Sequence, residues 1–579
     1  MNKISNGERS TENERYNGST KAIEIKNLNE YFTNLTSKGI AEQYNSLKFG
    51  PSKSTEIGKK AENKMKNRYM DLLPYDDTRV ILKNHPKENS EVSDYINANY
   101  IDGYKKAKAY ISTQGPLERT IIDFWHMIWQ EKACKIIMAA NIIEDCKKKC
   151  EKYWPDTTAS YGDITITLQS EKCYLDYTIR NFLLHHKDGT SRHIRQYHFT
   201  AWPDHGVPLY PLSLVMLLKA AKKYQPFCEA PLVLHCSAGV GRSGTVMLLD
   251  AAIDMAENEG YVDIVSMLAK MRQSRSNLVE TVEQFTFVYR ALVDYFCGEV
   301  TQKSCDEFQT YYNLKESESS KTLLKQQFER LKALISVETS SLSVQSRFYF
   351  KAPNSLTGET AHNSDNCKQE LNHFYVNGHG KRNAYIVIQY PKVECIHEFW
   401  QLAYDVESRI IIVFGHANSQ ENKYPTYWPE SNTLHQGNLK IDYITSELNF
   451  GVLIHTFNLR NSVEPQTSRV IKQCHILDWD ESEDWPPPKN TIINLFNALE
   501  TSLKGKPVLI VYKNNPCCAG FICASWIIYR QVIEDRLVDV FTAVRTIRRN
   551  QPSFINSLES YQKLYDLASS IVNENNSKL

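Results

Sequence analysis

The feature that most limits how this 579-residue chain can fold is that it runs through one pattern twice. Tyr110-Ile111-Ser112-Thr113-Gln114 answers to Tyr385-Ile386-Val387-Ile388-Gln389, and Pro116 to Pro391. Phe124-Trp125 answers to Phe399-Trp400, Tyr153-Trp154-Pro155 to Tyr427-Trp428-Pro429, and Arg272 to Arg548. An offset of about 275 residues, held to within about one or two positions, marks a duplicated domain. The expected division is a disordered tail over 1–20, a first domain over 21–298 and a second over 299–579. The junction near 297–320 is polar and continues as helix, so it reads as a short stiff linker.

The first half carries its chemistry in Leu234-His235-Cys236-Ser237-Ala238-Gly239-Val240-Gly241-Arg242-Ser243-Gly244. Pro231-Leu232-Val233-Leu234 leads in as a short buried strand. Thr245-Val246-Met247-Leu248-Leu249 starts a helical run, so a helix N-terminus faces whatever the loop holds. Small residues between them let main-chain N–H groups close around an anion. Five residues separate Cys236 from Arg242. The N–H groups of the loop and the planar Arg242 guanidinium can then share three phosphate oxygens, with the sulfur beneath phosphorus. A free thiol titrates near ~8.5, and a helix N-terminus or a cation brings it to roughly 3.5–7.5. Cys236 is therefore a candidate nucleophile at neutral pH. The plainer reading, a buried structural cysteine before a glycine turn, does not account for an arginine at this spacing.

This loop resembles the signature of the cysteine phosphatases, and of the protein tyrosine phosphatases in particular. Asn67-Arg68-Tyr69-Met70-Asp71 resembles the phosphotyrosine recognition loop of that family. There Tyr69 would stack on the substrate ring and wall a pocket too deep for phosphoserine to cross. Asp71 would accept hydrogen bonds from the substrate main chain. Asp94 to Ile101 and Tyr110 to Pro116 match two further family motifs, whose jobs are structural. The family also holds its catalytic arginine with a glutamate; Glu144, in a charged loop running to Cys150, is the candidate here. Ser243 resembles the hydroxyl that helps the thiolate leave. His235 is expected to tune the hydrogen bonds of Cys236, with a packed core histidine as the alternative.

Trp202-Pro203-Asp204-His205-Gly206-Val207-Pro208 is the second chemical element. Expelling a tyrosine oxygen requires a proton, and a positioned carboxylic acid contributes ~10²–10⁴-fold. Asp204 is the acid of this loop, Gly206 gives it room to move, and Trp202 with the prolines makes a stiff lever. Asp204 would act first as acid, then as the base that activates water. One position departs from the resemblance. The family usually has glutamine at the positions of Glu280 and Gln284, the first of them orienting that water. A carboxylate at Glu280 beside a phosphorylated cysteine is repelled or protonated, which leaves Gln284 to hold the water.

The second half has lost these groups. Tyr512 takes the place of Cys236 and Cys518 that of Arg242. Lys513-Asn514-Asn515-Pro516 replaces the glycines, and Pro516 has no N–H to give. The lid becomes Trp479-Asp480-Glu481-Ser482, and nothing around 340–375 matches the Tyr69 loop. Tandem domains of this kind resemble the cytoplasmic part of receptor-type tyrosine phosphatases, an active domain followed by an inactive one. The resemblance implies an α/β fold for each half, a highly twisted mixed sheet flanked by helices, and phosphotyrosyl proteins as substrates. It implies no metal or cofactor, and a regulatory or docking role for the second half. A formal net charge of +1 gives no reason to expect nucleic acid. Fourteen unevenly spaced cysteines with a nucleophile among them suit a reducing, cytoplasmic setting. No apolar run approaches the length of a membrane span. The runner-up reading is a phosphotyrosine trap whose phosphoenzyme persists because Glu280 fails to deliver water; a lipid or dual-specificity phosphatase comes third.

Overall fold

The computed structural model of the chain describes residues 22–83, 93–224, 229–313, 318–341, 371–415 and 425–577, except 465, 478, 480–486 and 504. The expected tail at 1–20, the stretch 342–370 and most of the second lid lie outside the described residues. Two compact units result. The first takes the described residues up to Ser170 together with Arg180–Glu299; the second takes Glu171–Ile179 together with those from Val300 onward.

A nine-stranded mixed sheet organises the first unit. Its order is Arg79–Ile81, Tyr95–Ile101, Tyr110–Thr113, Leu232–His235, Lys135–Met138, Ser191–Phe199, Tyr177–His186, Ile164–Cys173, Thr158–Tyr161. Leu232–His235 lies between two parallel partners, Tyr110–Thr113 and Lys135–Met138. A strand covered on both faces needs apolar residues throughout, and Val233 and Leu234 are fully enclosed. The outer strands alternate instead: Thr178, Arg180, Phe182 and Leu184 turn inward from Tyr177–His186. Phe182 and Leu184 meet Phe124, Trp125 and Ile128 of helix Ile121–Gln130 in one core with Ile136, Met138 and Val233. Helix Gly241–Glu259 follows the central strand and is buried from Ser243 through Ile253. It ends at Gly260, which is left-handed at φ +75° and closes the last turn onto Ala256 O.

Among the described residues, the second unit repeats this sheet without the first edge strand. Its order is His373–Gly378, Lys381–Gln389, Val508–Tyr512, Ile410–Phe414, Arg469–Ile476, Val452–Asn461, Leu439–Asn449, Thr433–Gln436. Among the described residues, helix Pro516–Asp535 alone is long and apolar enough to cross a membrane, and 78% of it is buried inside the protein as a core helix.

Two local expectations change. The helix after the Cys236 loop starts at Gly241, four residues ahead of Thr245, so Arg242 and Ser243 lie on its first turn. The charged stretch after Glu144 is a hairpin rather than a loop, pairing Ile143–Glu144 with Lys147–Lys148. Asp145 and Cys146 turn it at φ +46° and +56°, as a tight two-residue turn of this hand requires. Residues 50–64 contain two short helices, Glu56–Lys59 and Ala61–Lys64.

Candidate active site

Cys236 lies where the central strand ends, 5% exposed, and the chain turns back over it before entering the helix. Gly239 N–H donates to Cys236 Sγ at 3.2 Å. Gly239 has φ +71°, and a methyl group there would stand 2.2 Å from Thr113 O; only glycine fits both. Gly244 is equally tight, with Val279 N 2.5 Å from where its Cβ would be.

The loop carbonyls are turned away from the thiol by a residue that sequence reasoning missed. Arg275, 1% exposed, donates from Nε to Gly239 O at 2.8 Å and from Nη2 to Ala238 O at 3.1 Å. Its other bonds go to Asn99 Oδ1 and Asn97 Oδ1, both 2.8 Å. Ser112 Oγ adds a second bond to Gly239 O, 2.9 Å. With carbonyls held on this side, the loop N–H groups are free to face the other. The one available signal was Asn97 and Asn99, two amides on one face of a buried strand.

Arg242 is gripped by Glu144 in a two-pronged pair, Nη1 to Oε1 at 2.7 Å and Nη2 to Oε2 at 2.9 Å. Such forks fix the guanidinium plane. Glu144 is buried at the hairpin and also accepts from Asn141 N at 2.7 Å. Arg242 Nη2 further donates to Pro203 O at 3.2 Å, so the lid's main chain rests on the arginine. Trp202 is buried and donates to Gly206 O at 3.2 Å across the lid turn, where Gly206 has φ +82°. Asp204 is exposed beside it.

Tyr69 is partly exposed and shares a 3.0 Å hydrogen bond between its hydroxyl and Ser237 Oγ. Arg68 holds this loop in place, donating to Gln114 Oε1, Gly115 O and Pro116 O at 2.9, 3.1 and 2.8 Å. Asp71 is exposed two residues on. His235 is enclosed, with Nε2 2.9 Å from Tyr153 Oη and Nδ1 3.2 Å from Cys236 O. Burial lowers it to about 4, so it is neutral at physiological pH. Ser243 is buried one residue past Arg242, and among the described residues its hydroxyl has no hydrogen-bond partner.

Glu280 and Gln284 both reach Gly241: a methyl group there would lie 2.8 Å from Glu280 Oε2 and 3.1 Å from the Gln284 amide. Gln284 Oε1 accepts from Glu280 N at 2.9 Å. Burial, then the charge of Asp71, raises the Glu280 carboxyl above its ordinary range, against the pull of Arg242. The structure thus gathers Cys236, Arg242, Ser243, Tyr69, Glu144, Glu280 and Gln284 around one loop. In the second unit, Tyr512 ends the equivalent strand, Pro516 opens the helix, and Asn515 Oδ1 takes the N–H of Cys517 at 2.9 Å. The anion cradle is absent there among the described residues.

The sequence pattern of the protein-tyrosine phosphatase family matches residues 63–294 and again 359–570. The chain is 31% identical over 550 residues to receptor-type tyrosine-protein phosphatase U of Gallus gallus, covering 92% of this chain and 38% of that protein. It is 30% identical to receptor-type tyrosine-protein phosphatase alpha of Homo sapiens, covering 91% of this chain and 68% of that protein. Against receptor-type tyrosine-protein phosphatase epsilon of Mus musculus it is also 30% identical, covering 92% and 80%. The chain thus spans 38% of the first of these relatives and most of the other two. With two matched regions in one chain and two α/β units of like strand order, the chain belongs to the protein-tyrosine phosphatase family and carries that family's domain in tandem.

Proposed function

We propose that the first unit hydrolyses phosphotyrosine in proteins through a phosphocysteine intermediate, and that the second unit is a non-catalytic docking or regulatory module. Cys236 Sγ attacks phosphorus while the P–O bond to the tyrosine breaks. Asp204 gives its proton to the departing phenol oxygen. Arg242 and the N–H groups from Ser237 to Gly241 hold the three equatorial oxygens through the transition state. Water, held by Gln284 and deprotonated by Asp204, then attacks phosphorus, and the sulfur leaves as thiolate with the Ser243 hydroxyl donating to it. Tyr69 and Asp71 hold the substrate ring and main chain.

The observation that carries this reading is the Glu144–Arg242 fork beside Cys236, since it presets a planar cation for a phosphate before any ligand arrives. The names of the relatives support placement as the cytoplasmic region of a membrane receptor. Rapid mixing of the full chain with a phosphotyrosyl peptide tests the chemistry, with Cys236→Ser as blank. Peptide and phosphate rising together over many turnovers supports it; no release above the blank refutes it. The trap reading rests on Glu280 pressed against Gly241, and it predicts one stoichiometric burst of peptide with phosphate lagging.

A further inference from the structure

The two units differ sharply beside a tryptophan that both contain. In the first, the Arg180 guanidinium lies 4.6 Å from the Trp154 ring centre. Its Nη1 donates to Gln196 Oε1 at 2.9 Å and to His198 Nδ1 at 3.4 Å. His198 keeps its other nitrogen on Ala140 O at 2.8 Å. A built-in cation fills the slot between these acceptors.

In the second unit the strand register places Gln473 and His475 where Gln196 and His198 stand. His455 replaces Arg180, two residues before a phenylalanine packed edge-on to a tryptophan in both units. The His455 ring lies 6.4 Å from Trp428, nearly parallel to it. It is shorter than a guanidinium and does not refill the slot. Gln473 and His475 are 0% and 1% exposed. Yet, among the described residues, Gln473 Oε1 and His475 Nδ1, the same two atoms that accept from Arg180 in the first unit, have no hydrogen-bond partner, and neither nitrogen of His455 has one. Buried polar atoms are rarely left this way, and several together point to a missing ligand.

The rings of His455 and His475 stand 5.3 Å apart, centre to centre, at 86°. Two imidazoles on one tetrahedral zinc, with Zn–N near ~2.0 Å, put their ring centres about 5 Å apart. Gln473 Nε2 lies 2.8 Å from His475 Nε2. Turning that amide over places its oxygen on His475 Nε2–H, the usual outer partner of a ligating imidazole, which satisfies Gln473 Oε1 and leaves His475 Nδ1 and the two His455 nitrogens as the unpartnered atoms of the slot. The Nδ1 lone pair is then free for a metal.

We propose that this slot of the second unit binds a divalent transition-metal ion such as Zn²⁺, held by His455 and His475 and oriented by Gln473, where the first unit has Arg180. Water completes the coordination. Imidazole nitrogens select such ions over Mg²⁺ or Ca²⁺. The test is calorimetric titration of the full chain with Zn²⁺ after chelation and desalting, in wild type, His455→Arg and Gln473→Leu. His455→Arg puts back the cation of the first unit, so its fold has a precedent in this same chain. Wild type should bind one more equivalent than His455→Arg, and Gln473→Leu should bind that equivalent about 10–100-fold more weakly. Co²⁺ should give a visible absorption band that His455→Arg lacks. If His455→Arg fails to fold, His475→Phe serves as the second variant with the same expected loss. Equal stoichiometry and affinity in wild type and the ring variants overturns the proposal, as does equal uptake of Mg²⁺.

Discussion

Arg275 does for the Cys236 loop what no residue inside the loop can do: it decides which way the peptide groups point. Four hydrogen bonds tie its guanidinium to Gly239 O, Ala238 O, Asn97 and Asn99. Burial lowers it to about 10, still charged at neutral pH. Arg275→Lys keeps a charge and loses the fork. It should weaken binding of inorganic phosphate along with kcat and destabilise the protein by about 1–3 kcal/mol; unchanged phosphate affinity would contradict this positioning role. His235 makes a prediction about acid. Its folded value of about 4 lies below the ordinary 6.5, so its contribution to stability is complete above pH 6.5 and is lost as pH falls toward 4. The slope is about 1.4 kcal/mol per pH unit. Denaturant melts of wild type and His235→Gln should converge over that interval; parallel curves would refute it. Glu280→Gln should raise turnover at neutral pH, where a carboxylate repels the phosphocysteine. Because burial and Asp71 raise this carboxyl, wild type gains the neutral form as pH falls, and the ratio between the two should shrink. A ratio that is flat from pH 7 to 5 would mean Glu280 does not face the water step.

At the level of elements, the site is one strand–loop–helix braced by three neighbours. The helix contributes its first turn, Gly241 to Gly244, the hairpin at 143–148 contributes Glu144, and the strand Tyr95–Ile101 contributes the amides that hold Arg275. Gly239→Ala tests the fit. A left-handed φ with a carbonyl 2.2 Å from the new methyl should abolish turnover and remove about 1–3 kcal/mol of stability; measurable activity would show that the loop tolerates displacement. How much could be read beforehand follows from range. Cys236 and Arg242 lie six residues apart, and the apolar lead and glycines that shape their loop are local, so sequence sufficed. Gly241, Ser243 and Gly244 are poor helix formers, so the pattern predicts a later helix start than the one that packing of Gly244 on Val279 holds. Asp145-Cys146 lacks the usual glycine for a left-handed turn, so the local pattern there predicts a loop and not a hairpin. Arg275 acts across more than a hundred residues through Asn97 and Asn99, and no local pattern announces it.

Across the whole molecule, one architecture serves twice, and among the described residues the second copy keeps eight of the nine strands while losing the anion cradle. Cores depend on apolar patterning that Tyr385–Gln389 and Phe399-Trp400 preserve, whereas a catalytic loop depends on a few residues that Tyr512, Pro516 and Cys518 do not supply. All turnover of the full chain should therefore pass through Cys236. The most direct test is to quench the full-length protein in acid during turnover of a phosphotyrosyl peptide and locate bound phosphate by mass spectrometry. Phosphate on Cys236 and none on any residue from 300 to 577 is the expected result. Phosphate on a second-unit residue, or steady turnover that persists in Cys236→Ser, would contradict it.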